Sequence, residues 1–129
     1  IQEAKSVITA PSGGQKLLKQ GYYDITGLAW SGRGTVEKVE VSVDGGRNWL
    51  PARLEGPILP KALTRFHCHW VWQGEEALLQ ARVTDSTGYI QPSRAQLVEI
   101  RGTRSIYHNN AIQTWRVRAD GEVHNVQLG

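Results

Sequence analysis

The chain has 129 residues, 40% of them apolar, which suits one modest domain and is too small for a catalytic machine with its own enclosed cofactor domain. Its 15 Lys and Arg against 12 Asp and Glu give a formal net charge of +3, but the bases are spread without a run of four, which argues against a nucleic-acid face. No apolar run approaches the ~18 residues of a membrane-spanning helix, and one cysteine excludes an internal disulfide and any Cys-pair zinc site.

The dominant period along the chain is two, the signature of strands with one buried and one solvated face. Strands are expected at 5–10, 22–30, 35–43, 47–54, 64–73, 78–84, 95–101, 112–118 and 122–128. The alternation is clearest in three of them. Val39, Val41 and Val43 alternate with Lys38, Glu40 and Ser42. Phe66, Cys68, Trp70 and Trp72 take one face, with His67, His69 and Gln73 on the other. Leu79, Ala81 and Val83 alternate with Gln80, Arg82 and Thr84. Asp-Gly turns at 44–46, 85–88 and 120–121 punctuate these runs. One helical turn is expected near Gln15–Gln20, and residues 55–63 read as an ordered loop. Several short, turn-bounded strands predict an all-β, immunoglobulin-like β-sandwich of the E-set kind over residues 1–129. The start at Ile1 reads as a processed chain or a piece of a longer one, and no signal-peptide layout is visible.

Four constellations invite chemistry. Ser42-Val43-Asp44-Gly45-Gly46-Arg47-Asn48-Trp49 has the spacing of the Asp-box of sialidases. It occurs once, and its plainer reading is a well-built hairpin with Asp44 accepting turn N–H bonds and Trp49 packed beneath. In His67-Cys68-His69 the two imidazoles share a face and the thiol points away, so the three cannot converge on one metal. Surface histidines beside a buried structural cysteine are the expectation. Gly32-Arg33-Gly34 lacks the third glycine and the helix of a dinucleotide site and reads as a loop. Arg101-Gly102-x-Arg104 closes an expected strand. Two guanidiniums there would suit an anion, although solvated arginines are the plainer reading. No Ser/His/Asp order, phosphate loop or carboxylate pair stands out.

A longer series is more specific. It runs Gly27-Leu28-Ala29-Trp30-Ser31-Gly32-Arg33-Gly34, then Val36, Val39-Glu40-Val41-Ser42-Val43-Asp44-Gly45-Gly46 and Trp49. Ile8-Thr9-Ala10-Pro11 precedes it. Trp70-x-Trp72, Asp85-x-x-Gly88-x-x-Gln91-Pro92, Ile100-Arg101-Gly102 and Asn109-Asn110-Ala111 follow. Taken in order, the series resembles the C-terminal dimerisation domain of the sulfite oxidase family of molybdenum-cofactor oxidoreductases. The tail, Tyr107-His108-Asn109-Asn110-Ala111-Ile112-Gln113 with Trp115, Val117, Asp120-Gly121, Val123 and Asn125-Val126, is similar to the molybdenum subunit of its sulfane dehydrogenase branch, part of a periplasmic thiosulfate-oxidising system.

The resemblance implies a division of labour. A larger domain, N-terminal to this one, carries molybdopterin and the Mo-ligating Cys, and this chain pairs with its twin as a homodimer. The parent enzyme oxidises a sulfur centre and passes electrons to a c-type cytochrome in the periplasm. This chain alone would hold no cofactor and no metal, contribute no catalytic residue and be inactive. One of its residues, Arg101, matches the family position that binds the polar head of the substrate. No nucleic acid or membrane is an expected partner. The alternative is a free-standing immunoglobulin-like interaction module without a catalytic role. A sialidase or carbohydrate-binding fragment rests on the single Asp-box alone. Tyr22, Leu28 and Trp30 are candidates for the dimer face.

Overall fold

In a computed structural model of the chain, residues 4–11, 17, 19–32, 34–56, 63–93 and 112–126 are described. Nine strands follow one another: β1 (Lys5–Ala10), β2 (Gly21–Trp30), β3 (Val36–Ser42), β4 (Leu50–Pro51), β5 (Arg53–Leu54), β6 (Thr64–Trp72), β7 (Ala77–Asp85), β8 (Thr114–Val117) and β9 (Val123–Val126). They form two antiparallel sheets, one ordered β1-β2-β6-β5 and the other β4-β3-β7-β8-β9. The inner faces make the core of a β-sandwich. The first sheet supplies Ile8, Ile25, Ala29, Phe66, Cys68 and Trp72. The second supplies Val39, Val41, Leu79, Ala81, Val83 and Val117. Period-two alternation therefore becomes two facing apolar layers, as expected for an all-β sandwich. Among the described residues, no helix is long and apolar enough to cross a membrane.

Two expectations change. The strand expected at 47–54 is two short strands. β4 pairs with β3 in one sheet and β5 with β6 in the other, so the chain crosses between sheets at Ala52, whose N–H reaches Val39 O at 2.8 Å. Pro51 lies on the edge strand β4, where a missing N–H breaks no inner ladder. Secondly, the polar face of β7 is not fully solvated. Gln80 is 8% exposed and Thr84 9% exposed, and Gln80 Nε2 donates to Thr114 Oγ1 of β8 at 2.8 Å. β7 sits inside the sheet between β3 and β8, so its outward Gln80 and Arg82 bond to neighbouring strands, while the Thr84 hydroxyl is buried without a hydrogen-bond partner. The strand expected at 95–101 lies outside the described residues. So do residues 15, 16 and 18 of the 15–20 turn and 57–62 of the 55–63 loop. Leu17 is described and buried, its N–H bonded to Gly121 O at 2.8 Å.

The hairpin after β3 is built around Asp44. Ser42 Oγ donates to Asp44 Oδ1 at 2.7 Å and accepts from Gly46 N at 2.9 Å. Asp44 Oδ1 accepts from the N–H groups of Arg47 and Asn48, and Asn48 Nδ2 donates to Oδ2 at 2.7 Å. Gly45 and Gly46 sit at φ +74° and +93°, a region that side chains other than glycine's enter at a cost. Trp49 lies against this turn but is only half-buried. The Arg82 guanidinium covers its ring at 4.1 Å from the centroid, held in turn by Glu40 at 3.0 Å. The ring thus packs under a cation at the surface rather than in the core.

Gly27 sets the approach of three strands. A Cβ built there would collide with the Val7 carbonyl of β1 and the Phe66 ring of β6, both fixed by the ladder and the core. Gly27→Ala should therefore cost about 2–3 kcal/mol in urea unfolding, and a loss below ~0.5 kcal/mol would contradict this packing.

The hairpin bonds, led by those from Asn48, hold the Asp44 pKa at about 2, below its ordinary 3.8. A depressed folded-state pKa adds stability above the unfolded pKa, and that stability is lost as pH falls through the folded value. The gap in Tm between wild type and Asp44→Asn should be constant above about pH 4.5 and close progressively toward pH 2. A pH-independent gap in thermal melts would overturn that account.

Candidate functional site

One edge of the second sheet holds the flanks of the segment that carries Arg101. Ile90 bridges Thr84, and Gln91 N–H bonds to Val83 O at 2.9 Å. Further along the same edge of β7, β8 pairs with Ala77–Gln80. Ile112 N–H closes the gap by donating to Pro92 O at 2.9 Å. The described residues on either side of 94–111 therefore lie along one edge of β7. Arg101 and Arg104 lie within that stretch, outside the described residues, as does Arg33 in its own loop.

The described frame around those flanks is a buried polar clasp. Asp85, at the end of β7, is fully buried. Its Oδ2 accepts from Ser31 Oγ at 2.7 Å, and its Oδ1 accepts from Thr87 N, Thr87 Oγ1 and Tyr89 N at 2.9, 2.6 and 3.1 Å. Burial pushes this carboxyl's pKa up. The hydrogen bonds from Thr87, Ser31 and Tyr89 outweigh it and hold the pKa below the ordinary value. Ser31 Oγ also accepts from Gly34 N at 3.2 Å, and Ser86 Oγ accepts from Thr35 N at 3.0 Å. Gln91 adds a second tie: its Oε1 accepts from Ser6 N and Ser6 Oγ at 3.1 and 2.7 Å. Trp-Ser-Gly-x-Gly and Asp-x-x-Gly-x-x-Gln-Pro are thus two halves of one structural join between the sheets. The join can hold a segment in place.

The Asp44 hairpin belongs elsewhere. β3 separates it from Asp85, since Val36 pairs with Asp85 and Ser42 with Gln80, a span of roughly 20 Å. An open groove of about 560 Å³ lies beside it, lined by Asp44, Arg47, Trp70, Trp72 and Glu75 among others. The hairpin's polar atoms are engaged in building the turn, as its structural reading requires.

Cys68 faces the core from β6 while His67 and His69 face outward, as the alternation predicts. Burial and then the charge of Asp24 push the Cys68 thiol's pKa up, so it is neither a ready nucleophile nor a ready metal ligand. What sequence reasoning missed is Asp24. It lies on β2 directly opposite His69 in the ladder, and its Oδ1 stands 3.5 Å from His67 Nδ1 and 3.5 Å from His69 Nδ1. Only the β2–β6 register brings it there, and 43 residues of chain separate Asp24 from His67.

A family model for the Mo-co oxidoreductase dimerisation domain matches residues 2–115. The sulfite oxidase of Gallus gallus is 36% identical over 114 residues, covering 81% of this chain and 25% of the relative. An NADH nitrate reductase of Hordeum vulgare is 33% identical over 103 residues, covering 69% of this chain and 11% of the relative. Among solved structures, the sulfane dehydrogenase SoxCD from Paracoccus pantotrophus superposes with a TM-score of 0.96 at 54% identity. That match covers 100% of this chain and 33% of the other. The chain thus spans a third or less of each of these relatives. With the family model covering most of its length, and the two-sheet sandwich that the model's residues build, the chain belongs to the Mo-co oxidoreductase dimerisation domain family.

Proposed function

We propose that residues 1–129 are the dimerisation domain of a molybdenum-dependent oxidoreductase acting on a sulfur compound, of the sulfane dehydrogenase or sulfite oxidase type. The observation that carries this reading is the 54% identity to SoxCD over the whole chain, well above the 33–36% to the nitrate reductase and sulfite oxidase. The molybdopterin domain lies N-terminal in the same polypeptide. The parent enzyme works in the periplasm and hands its electrons to a c-type cytochrome. Among the described residues nothing fits a molybdenum centre. The one thiol of the chain, Cys68, is turned into the core and held protonated. The metal belongs to the parent's other domain, and this chain contributes association and one side chain.

That side chain is Arg101. A guanidinium offers paired, fixed donors to an oxyanion and cannot lose its charge at neutral pH. The Asp85 and Gln91 ties hold the described residues that precede its segment. Arg101 is read as binding the polar head of the substrate. The competing reading, a free-standing interaction module, has no upstream catalytic domain, so the reading frame preceding this chain separates the two.

Two measurements test the proposal. The 129-residue chain should sediment as a concentration-dependent dimer with C2 symmetry, and a monomer at all concentrations up to the millimolar range would count against it. In the full-length enzyme, Arg101→Gln should raise KM for an anionic sulfur substrate roughly 10- to 100-fold, the loss of one charge-assisted pair, with unchanged thermal unfolding. Unaltered kinetics would remove Arg101 from the site.

A further inference from the structure

The outer face of the first sheet carries a second cluster that the family reading does not use. His67 and His69 stand two residues apart on β6, so both rings project from the same side of the sheet. Asp24 on β2 pairs with His69 directly and meets His67 on the diagonal, since His67 pairs with Thr26. One carboxylate oxygen, Asp24 Oδ1, lies 3.5 Å from Nδ1 of each ring. All three donor atoms fall within 4.8 Å of one another.

We propose that Asp24, His67 and His69 bind a divalent transition-metal ion of the Zn2+ class. The argument is geometric first. A tetrahedral ion with ligand bonds of about 2.0–2.1 Å has donor-to-donor edges of about 3.3–3.4 Å. Two of the three edges here are 3.5 Å, within a small side-chain adjustment of that value. They are too long to be hydrogen bonds.

The second observation is an orphaned ring nitrogen. His67 is 17% exposed, and its Nδ1 is buried with no hydrogen-bond partner. A buried polar atom without a partner is costly, and a cation shared with Asp24 and His69 satisfies it. The opposite nitrogen of that ring, Nε2, lies 3.6 Å from Glu55 Oε1. A small adjustment of either side chain would let Glu55 accept a hydrogen bond from Nε2–H, which keeps the ring proton on Nε2 and leaves the Nδ1 lone pair for the metal, the carboxylate–histidine–metal arrangement that orients ligating imidazoles.

The donor set is also chemically apt. Two neutral imidazoles and one carboxylate suit Zn2+, Cu2+ or Ni2+ far better than Ca2+ or Mg2+, which take oxygen ligands. His69 is 58% exposed and Asp24 42% exposed, so an ion reaches the site without opening the fold. The ring of Tyr22 stands 5.1 Å from that of His69 and walls one side. Three protein ligands leave a fourth position for water. The ion would clip β2 to β6 across the centre of the first sheet, from the face opposite the core. Cys68 takes no part, being on that other face.

The test is zinc binding to the untagged chain at pH 7.5, read by competition with a chromophoric chelator, with Co2+ absorption as a second readout. One equivalent of Zn2+ should bind wild type. His69→Ala and Asp24→Asn, both at exposed positions, should each weaken it at least tenfold and abolish the Co2+ visible band. His124→Ala removes the exposed His124–Glu122 pair on the other sheet and should leave binding unchanged. Zn2+ should raise the Tm of wild type and of His124→Ala only. Equal affinity in wild type and Asp24→Asn, absence of a saturable single equivalent, or loss of binding on His124→Ala would each overturn the proposal.

Discussion

The Asp85 carboxylate is the constraint on which the sandwich depends. A sandwich with one cysteine has no disulfide to pin its sheets together, so the join must be made by burial and hydrogen bonds. A buried carboxylate is tolerable only when its lone pairs are filled. Here four donors fill them, from Ser31, Thr87 and Tyr89. Ser31 follows β2 of the first sheet, and Asp85 ends β7 of the second. Their bond fixes one sheet against the other, and the turn wrapped on the same carboxylate sets how residues 89–92 lie down beside β7. Breaking the join would take their shared acceptor from the turn's donors as well as from the Ser31 hydroxyl, which costs more than one hydrogen bond's net worth. The Ser6–Gln91 bonds repeat the device from β1.

This explains why the family series is readable at all. Its most recognisable residues are those that build: Gly27 by having no Cβ between Val7 and Phe66, Ser31 and Asp85 by the clasp, Asp44 by the hairpin. Each of them is engaged by the fold itself. A motif made of structural necessities identifies a domain strongly and says little about chemistry. The functional burden assigned to Arg101 rests on one position, and no periodicity or spacing singles it out from the nine other arginines.

Legibility followed burial. β3, β6 and β7 were readable because one face of each packs on the core, so alternation was enforced. The break at Ala52 was not, because the switch of partner between Pro51 and Arg53 depends on where both sheets end, which no local pattern encodes. Gln80 and Thr84 looked like a solvated face for the same reason. Their burial comes from neighbouring strands, and alternation reports only the sides of one strand. Asp24 was invisible in kind. The His-x-His spacing was plain, but the third ligand arrives through antiparallel pairing, and a register cannot be read from either strand alone.

The outer face of the first sheet joins these threads. Tyr22, Leu28 and Trp30 lie on the same side of β2 as Asp24, because all are even-numbered in a strand whose register is unbroken from Gly21 to Ala29 and whose burial alternates through Trp30. Tyr22 is 63% exposed, and its ladder partner Val71 is exposed beside it. A twofold contact that covers Tyr22 and Val71 also covers Asp24 and His69, which flank them. Burying a lone carboxylate in such a contact is costly. A bound cation, or protonated imidazoles beside it, removes that cost by neutralising the charge before it leaves water. Any twofold contact made through this face would therefore be linked to the charge state of the Asp24–His67–His69 cluster: what fills the cluster would change how readily the face is dehydrated, and a partner that dehydrated the face would tighten the hold on whatever fills the cluster.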